Sequence, residues 1–151
     1  MELKLEFEST TGAAALARDE LRMLEERIGE RTLSDLLLVI TELISNSVKF
    51  GPGVQIEVRL ALRDDGSVAG IVVDGGTGRV AIRDTDASEP GGFGLQIVDQ
   101  VTADWGVRPR TTDVWFELPA NGARRAPTGG SARVRSSRRV AERIGARMAR
   151  R

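Results

Sequence analysis

The sequence predicts an α+β fold: a two-layer α/β sandwich with one mostly antiparallel sheet and helices on one face. Three observations carry that expectation. Alternating apolar and polar segments flank segments of helical period. The elements follow in the order β-α-α-β-β-loop-α-β-β. Asp65-Gly66 joins two alternating apolar runs, a strong hairpin signal.

The opening LKLEFE alternates Leu3, Leu5 and Phe7 with Lys4, Glu6 and Glu8, and reads as a half-buried strand. Ser9, Thr10 or Thr11 is expected to cap a helix over about 13–28, with Leu16, Leu21, Leu24 and Ile28 facing inward. A second helix is predicted over about 33–49, stopping at Gly51-Pro52-Gly53. Strands follow at about 54–62 and 68–74 around the turn 63–67. A glycine-rich acidic loop fills 75–91, a helix spans about 92–103, and strands at 104–108 and 113–118 close the body.

Composition removes several chemistries. The 151 residues contain no cysteine and no histidine. Disulfides, thiolate metal sites, Ser-His-Asp catalysis and a phospho-accepting histidine are therefore excluded from this chain. No run approaches the roughly 18 apolar residues of a membrane span. The start MELKLEFEST is acidic and alternating, unlike a signal peptide, so a cytoplasmic location is expected. The net charge of zero conceals a division. Residues 1–120 carry 12 Lys+Arg and 21 Asp+Glu, a net of −9; residues 121–151 carry 10 Arg and one acid, Glu142, a net of +9. We expect a folded domain over 1–119 and an Arg-rich linker and basic tail over 120–151.

Three short motifs can carry chemistry. On the second helix Asp35, Glu42, Asn46 and Lys49 share the stripe opposite Leu36, Ile40, Leu43 and Ile44. Glu42 and Asn46, one turn apart, suit a general base and a hard-oxygen Mg²⁺ ligand; the same spacing also describes a solvated helix face. Ile71-Val72-Val73 runs into Asp74-Gly75-Gly76-Thr77-Gly78. An acid at the end of a buried strand can accept from an exocyclic amine such as adenine N6, and glycines let backbone approach a flat ring; a glycine-rich hairpin turn is the alternative. Gly91-Gly92-Phe93-Gly94 opens the third helix, where free N–H groups and the dipole favour phosphate, or simply start a helix. The Lys-Ser/Thr of a P-loop and the preceding strand of a dinucleotide-binding turn are both missing.

Taken together, E-x-x-x-N, D-x-G-x-G and G-x-G make the chain resemble the GHKL (Bergerat-fold, histidine-kinase-like) ATPase superfamily. Within it, the chain is similar to the small bacterial anti-sigma regulatory factors that are serine/threonine kinases. The resemblance runs from Thr41–Gly51 through Asp74–Gly78 and Gly92–Val98 to Val114–Pro119, covering roughly residues 3–119. It implies ATP and Mg²⁺ as ligands. Asn46 would be the metal ligand and Glu42 the general base toward a serine hydroxyl. Asp74 would bind adenine N6, with Gly76 and Gly78 shaping the pocket floor, and Gly92 and Gly94 would offer N–H groups to the phosphates beneath a lid over about 79–91. Thr111 or Thr112 would supply the hydroxyl beside adenine, and Thr112 is the expected one of the two. Two departures stand out: relatives usually carry His where this chain has Phe50, and the glycines before the adenine-side threonine are missing.

The resemblance implies an ATP-dependent kinase that sequesters a sigma factor and phosphorylates a small anti-sigma-factor antagonist. The alternative is a nucleotide-gated protein-binding module without phosphotransfer. Homodimerisation is known in the family. The tail places Val140, Ile144 and Met148 at four-residue spacing among arginines. That pattern fits a basic helix that docks on nucleic acid, an anionic membrane (marginally, with only three large apolar residues) or an acidic partner; the alternative is a disordered, solubilising tail, free to fold back on the acidic body.

Overall fold

The computed structural model describes residues 1–77 and 94–122. Alternation in the sequence becomes strands β1 (Glu2–Glu8), β2 (Gln55–Leu62), β3 (Val68–Val73), β4 (Asp104–Val107) and β5 (Val114–Leu118). They form one sheet in the order β1-β2-β3-β5-β4, every neighbouring pair antiparallel. The β2–β3 hairpin turns at Gly66, whose φ of 83° is costly for any residue with a Cβ. Strand β5 lies between β3 and the edge strand β4, with Val72 opposite Val114.

The helices are α1 (Ala13–Leu21), α2 (Glu25–Ile28), α3 (Glu30–Phe50) and α4 (Gly94–Val101). They cover one face of the sheet. Ile56, Val58, Leu60, Val72, Val114 and Phe116 from the strands pack there with Leu21, Leu36, Ile40 and Ile44 from the helices. Gly70 is required in that layer, because a Cβ would run into the Phe116 ring. The α+β sandwich read from the sequence is the fold observed.

Four details differ from the sequence reading. The first helix is interrupted: residues Arg22–Leu24 form a 3₁₀ turn between α1 and α2. A tighter turn brings positions three apart into line, and Leu21 and Leu24 are both buried. Its N-cap is Gly12 with no side-chain cap; the carbonyl of Thr10 receives the Ala13 N–H instead. Leu16, expected inside, is 57% exposed, since the buried stripe runs through Ala13, Ala17, Leu21, Leu24 and Ile28. Asp35, placed on the stripe opposite the core, is buried.

The body continues past β5 through a short 3₁₀ turn at Ala120–Gly122. Thr32 on α3 donates to the Pro119 carbonyl there at 3.5 Å. Among the described residues no helix is long and apolar enough to cross a membrane.

Candidate functional site

The site grows from the end of β3. Asp74 follows the last strand residue and is buried, 5% exposed. Its Oδ1 accepts the Gly76 N–H at 2.9 Å and the Thr112 hydroxyl. The Thr112 N–H in turn donates to the Gly76 carbonyl at 3.2 Å. Register explains the meeting: with Val72 opposite Val114, two further steps set Asp74 opposite Thr112. Thr111 is turned away, its hydroxyl donating to the Arg108 carbonyl at 3.0 Å. Of the two threonines left open by the sequence, Thr112 is the one beside Asp74.

The glycines hold this arrangement close. Gly75 has a φ of 74°, which lets the chain reverse immediately after Asp74. A Cβ on Gly76 would collide with Thr112 Oγ1. Gly51, which the sequence reading treated as a helix stop and as the end of the first motif, does more. Its N–H donates to the Ser47 carbonyl at 2.9 Å and ends α3, and a Cβ on it would lie 3.1 Å from Asp74 Oδ2. The C-terminal end of α3 therefore packs against the Asp74 carboxylate. With Oδ1 already used twice, Oδ2 has no hydrogen-bond donor among the described residues. It is an acceptor held in place by the two bonds to Oδ1.

Glu42 and Asn46 lie on α3 about two turns and one turn before that end, and both are half-buried. The stripe they occupy is thus neither core nor fully solvated. Next to Glu42, the Thr41 hydroxyl accepts from Arg18 at 3.2 Å and donates to the Leu37 carbonyl at 2.7 Å. Helix α4, which begins at Gly94, packs against α3. Gly78 and Gly92, and the lid and tail as a whole, lie outside the described residues. Phe50 and Lys49 are exposed in the last turn of α3.

Sequence reasoning missed Asp113. This residue is 4% exposed, and its Oδ2 accepts from Arg108 at 3.2 Å while Oδ1 has no hydrogen-bond partner among the described residues. Burial pushes its carboxyl above the ordinary value of 3.8; Arg108 opposes that shift and the nearby Asp74 carboxylate adds to it. The signal available in the sequence was only an acid at the start of a strand predicted to be apolar. Its importance depends on β5 lying beside β3, which no local pattern encodes.

The residues suit a purine nucleotide. A carboxylate oxygen free to accept, a threonine hydroxyl beside it and glycines without Cβ atoms form a narrow polar slot for a flat base. For Mg²⁺ the fit is of a different kind. No group of three Asp, Glu, His or Cys residues gathers among the described residues, so Asn46 offers a single hard oxygen. A magnesium ion held mainly by phosphate oxygens asks for no more than that.

No protein-family model matches this chain, and no curated protein matches it in sequence. Among solved structures it is similar to the crystal structure of the RsbU and RsbW domains of Rv1364c from Mycobacterium tuberculosis. The TM-score is 0.57 at 22% identity, over 78% of this chain and 31% of that one. This chain therefore spans about a third of the length of that solved chain, and the likeness is one of fold.

Proposed function

We propose that this chain is an ATP-binding anti-sigma regulatory factor of the GHKL type that acts as a serine/threonine protein kinase on a small anti-sigma-factor antagonist. The observation that carries the reading is the Asp74–Thr112–Gly76 arrangement with Gly51 closed against it. It supports an adenine slot on an element order and a motif set that resemble that family. The fold shared with the RsbU and RsbW domains of Rv1364c supports it further.

Bound ATP would supply the transferable phosphoryl group, with Mg²⁺ offsetting phosphate charge. The chain's own residues do the rest. Asp74 Oδ2 accepts from the exocyclic amine, while Thr112 and Gly76 fix the rotamer that presents it. By the resemblance, Gly78 would extend the slot floor, Asn46 would contribute its amide oxygen to the metal, and Gly92 and Gly94 would offer backbone N–H groups to phosphate; Gly78 and Gly92 lie outside the described residues. Glu42 accepts the proton of an incoming serine hydroxyl. In the same reading a sigma factor is the second protein partner.

Calorimetric titration with ATP, with and without Mg²⁺, beside an Asp74→Asn variant tests the reading. Mg²⁺-dependent binding that the variant loses is expected. Absence of ATP binding in the unaltered protein would overturn it. Phosphotransfer to a serine-containing antagonist, lost in Glu42→Gln, separates a kinase from a nucleotide-gated binding module.

A further inference from the structure

Thr112 is presented to Asp74 by a turn that contains no glycine, Arg108-Pro109-Arg110-Thr111. The Thr111 N–H donates to the Arg108 carbonyl at 3.1 Å and closes the four residues on themselves. Pro109 suits the second position of such a turn, and Arg110 takes the third with a φ of 64°. A positive φ there is ordinarily left to glycine, because a Cβ makes it costly. The turn therefore needs restraint beyond its own propensity.

The bonds around it supply that restraint. Arg108 and Asp113 are joined twice: the Arg108 N–H donates to the Asp113 carbonyl at 2.9 Å, and the guanidinium donates to Asp113 Oδ2 at 3.2 Å. The Thr111 hydroxyl donates to the Arg108 carbonyl at 3.0 Å and accepts from the Asp113 N–H at 3.1 Å. Residues 108, 111 and 113 thus bind one another. Thr112, set between them, sends its N–H to Gly76 and its hydroxyl to Asp74. Val107 and Val114 pack on the helix side of the sheet, so alternation turns Arg108 and Asp113 to the other face. The pair grips the approach to β5 from behind the slot. A hydrogen bond between two charged groups is roughly twice as strong as a neutral one, so this pair is the firmest of the restraints.

We propose that the Arg108–Asp113 pair is a positioning element for base selection. By fixing Thr112 it aims the Asp74 carboxylate, and so sets the preference of the slot for a base with an amine over one with a carbonyl at the same position. The inference rests on the reading that Asp74 accepts from the exocyclic amine of adenine. Thr112 occupies Oδ1, and Oδ2 is the oxygen which that reading assigns to the amine. A carboxylate released by Thr112 rotates and loses that aim. Guanine carries a carbonyl oxygen where adenine carries the amine, and an aimed carboxylate repels it.

Calorimetric titration of the full chain with Mg²⁺-ATP and with Mg²⁺-GTP tests the proposal. The parent chain is expected to prefer ATP, and Asp74→Asn to lose the preference. Arg108→Ala should lower the ATP-over-GTP affinity ratio about tenfold, the worth of one well-aimed hydrogen bond. Arg108→Lys should recover most of it. Asp113→Ala should match Arg108→Ala, and the double variant should fall no further, the mark of two groups acting as one. A merely structural role lowers both affinities together and leaves their ratio at the parental value, which overturns the proposal. If the far-ultraviolet spectrum shows that Arg108→Ala does not fold, Arg108→Gln, which keeps a donor and removes the charge, carries the same comparison. A parental ratio in these variants beside a lost preference in Asp74→Asn overturns the positioning role and leaves the adenine reading standing. A parent chain that does not discriminate, or an Asp74→Asn variant that still does, overturns that reading and this inference with it.

Discussion

The Thr112 hydroxyl donates to Asp74 Oδ1 across 38 residues of sequence, and the backbone of Gly76 closes the triangle from both sides. The contact joins the end of β3 to the start of β5. It spends one carboxylate oxygen on fixing the other. Replacing Thr112 by Val keeps the shape and removes the donor. A loss of about 1–3 kcal/mol in unfolding free energy is expected from the under-satisfied buried acid. ATP affinity should fall in parallel. Urea denaturation and calorimetry read the two effects, and an unchanged urea midpoint would show that the bond contributes nothing.

Gly76→Ala tests the closeness of the slot rather than its polarity. The new Cβ would occupy the space of Thr112 Oγ1, so the strand ends must separate. Overpacking of this kind costs about 1–3 kcal/mol. Nucleotide binding should suffer more than global stability does, because the displaced groups are the ones that aim Asp74. Equal ATP affinity in Gly76→Ala and the parent chain would count against a base-binding slot here.

Glu42 is half-buried on α3 and lies outside the Asp74 cluster. Glu42→Gln is therefore expected to leave ATP binding intact while reducing phosphotransfer by about 100-fold or more, the usual contribution of a general base. Radiolabelled phosphate transfer to the antagonist measures this. A variant that binds ATP and transfers phosphate at the parental rate would remove Glu42 from the chemistry.

Asp113 should make stability depend on pH in a defined direction. Its carboxyl is raised by burial, with Asp74 adding and Arg108 opposing, so the folded state holds the proton more tightly than the unfolded chain. Its contribution to stability is therefore full below the ordinary value of 3.8 and declines as pH rises through the higher folded value. Asp113→Asn retains an acceptor for Arg108 and removes the titration. Urea midpoints compared across the acidic range should show the variant gaining on the parent as pH rises. Parallel curves would mean that Asp113 titrates normally.

Leu16 and Leu21 separate two readings of α1. Leu21→Ala empties a fully buried position and should cost about 2–5 kcal/mol. Leu16, 57% exposed, should tolerate alanine within about 0.5 kcal/mol. Comparable losses at both positions would return Leu16 to the core.

The element types were legible because each is a local periodic signal. Leu3-Leu5-Phe7 alternates, Leu36-Ile40-Leu43-Ile44 recurs at helical spacing, and Asp65-Gly66 announces its own turn. Asp74, Gly76 and Gly94 were legible as motif positions for the same reason. Leu16 was misplaced because a helix seen alone has two candidate apolar stripes, and only packing on α3 selects the one through Ala13, Ala17 and Leu21. Asp35 was misread likewise, since burial by elements distant in sequence leaves no mark on its own segment.

By itself the sequence determined the strands, the helices, the chemistry that lacks cysteine and histidine, and the division of charge between body and tail. These follow from composition and short-range periodicity. Tertiary structure alone decided that Thr112 rather than Thr111 meets Asp74, that Gly51 closes on the same carboxylate, and that Asp113 is buried beside it. The first and third depend on β5 inserting between β3 and β4 in one register, a pairing of residues some forty positions apart; the second depends on α3 ending against the end of β3. The free energy of that pairing comes from the whole sheet, so no local segment of the chain can specify it.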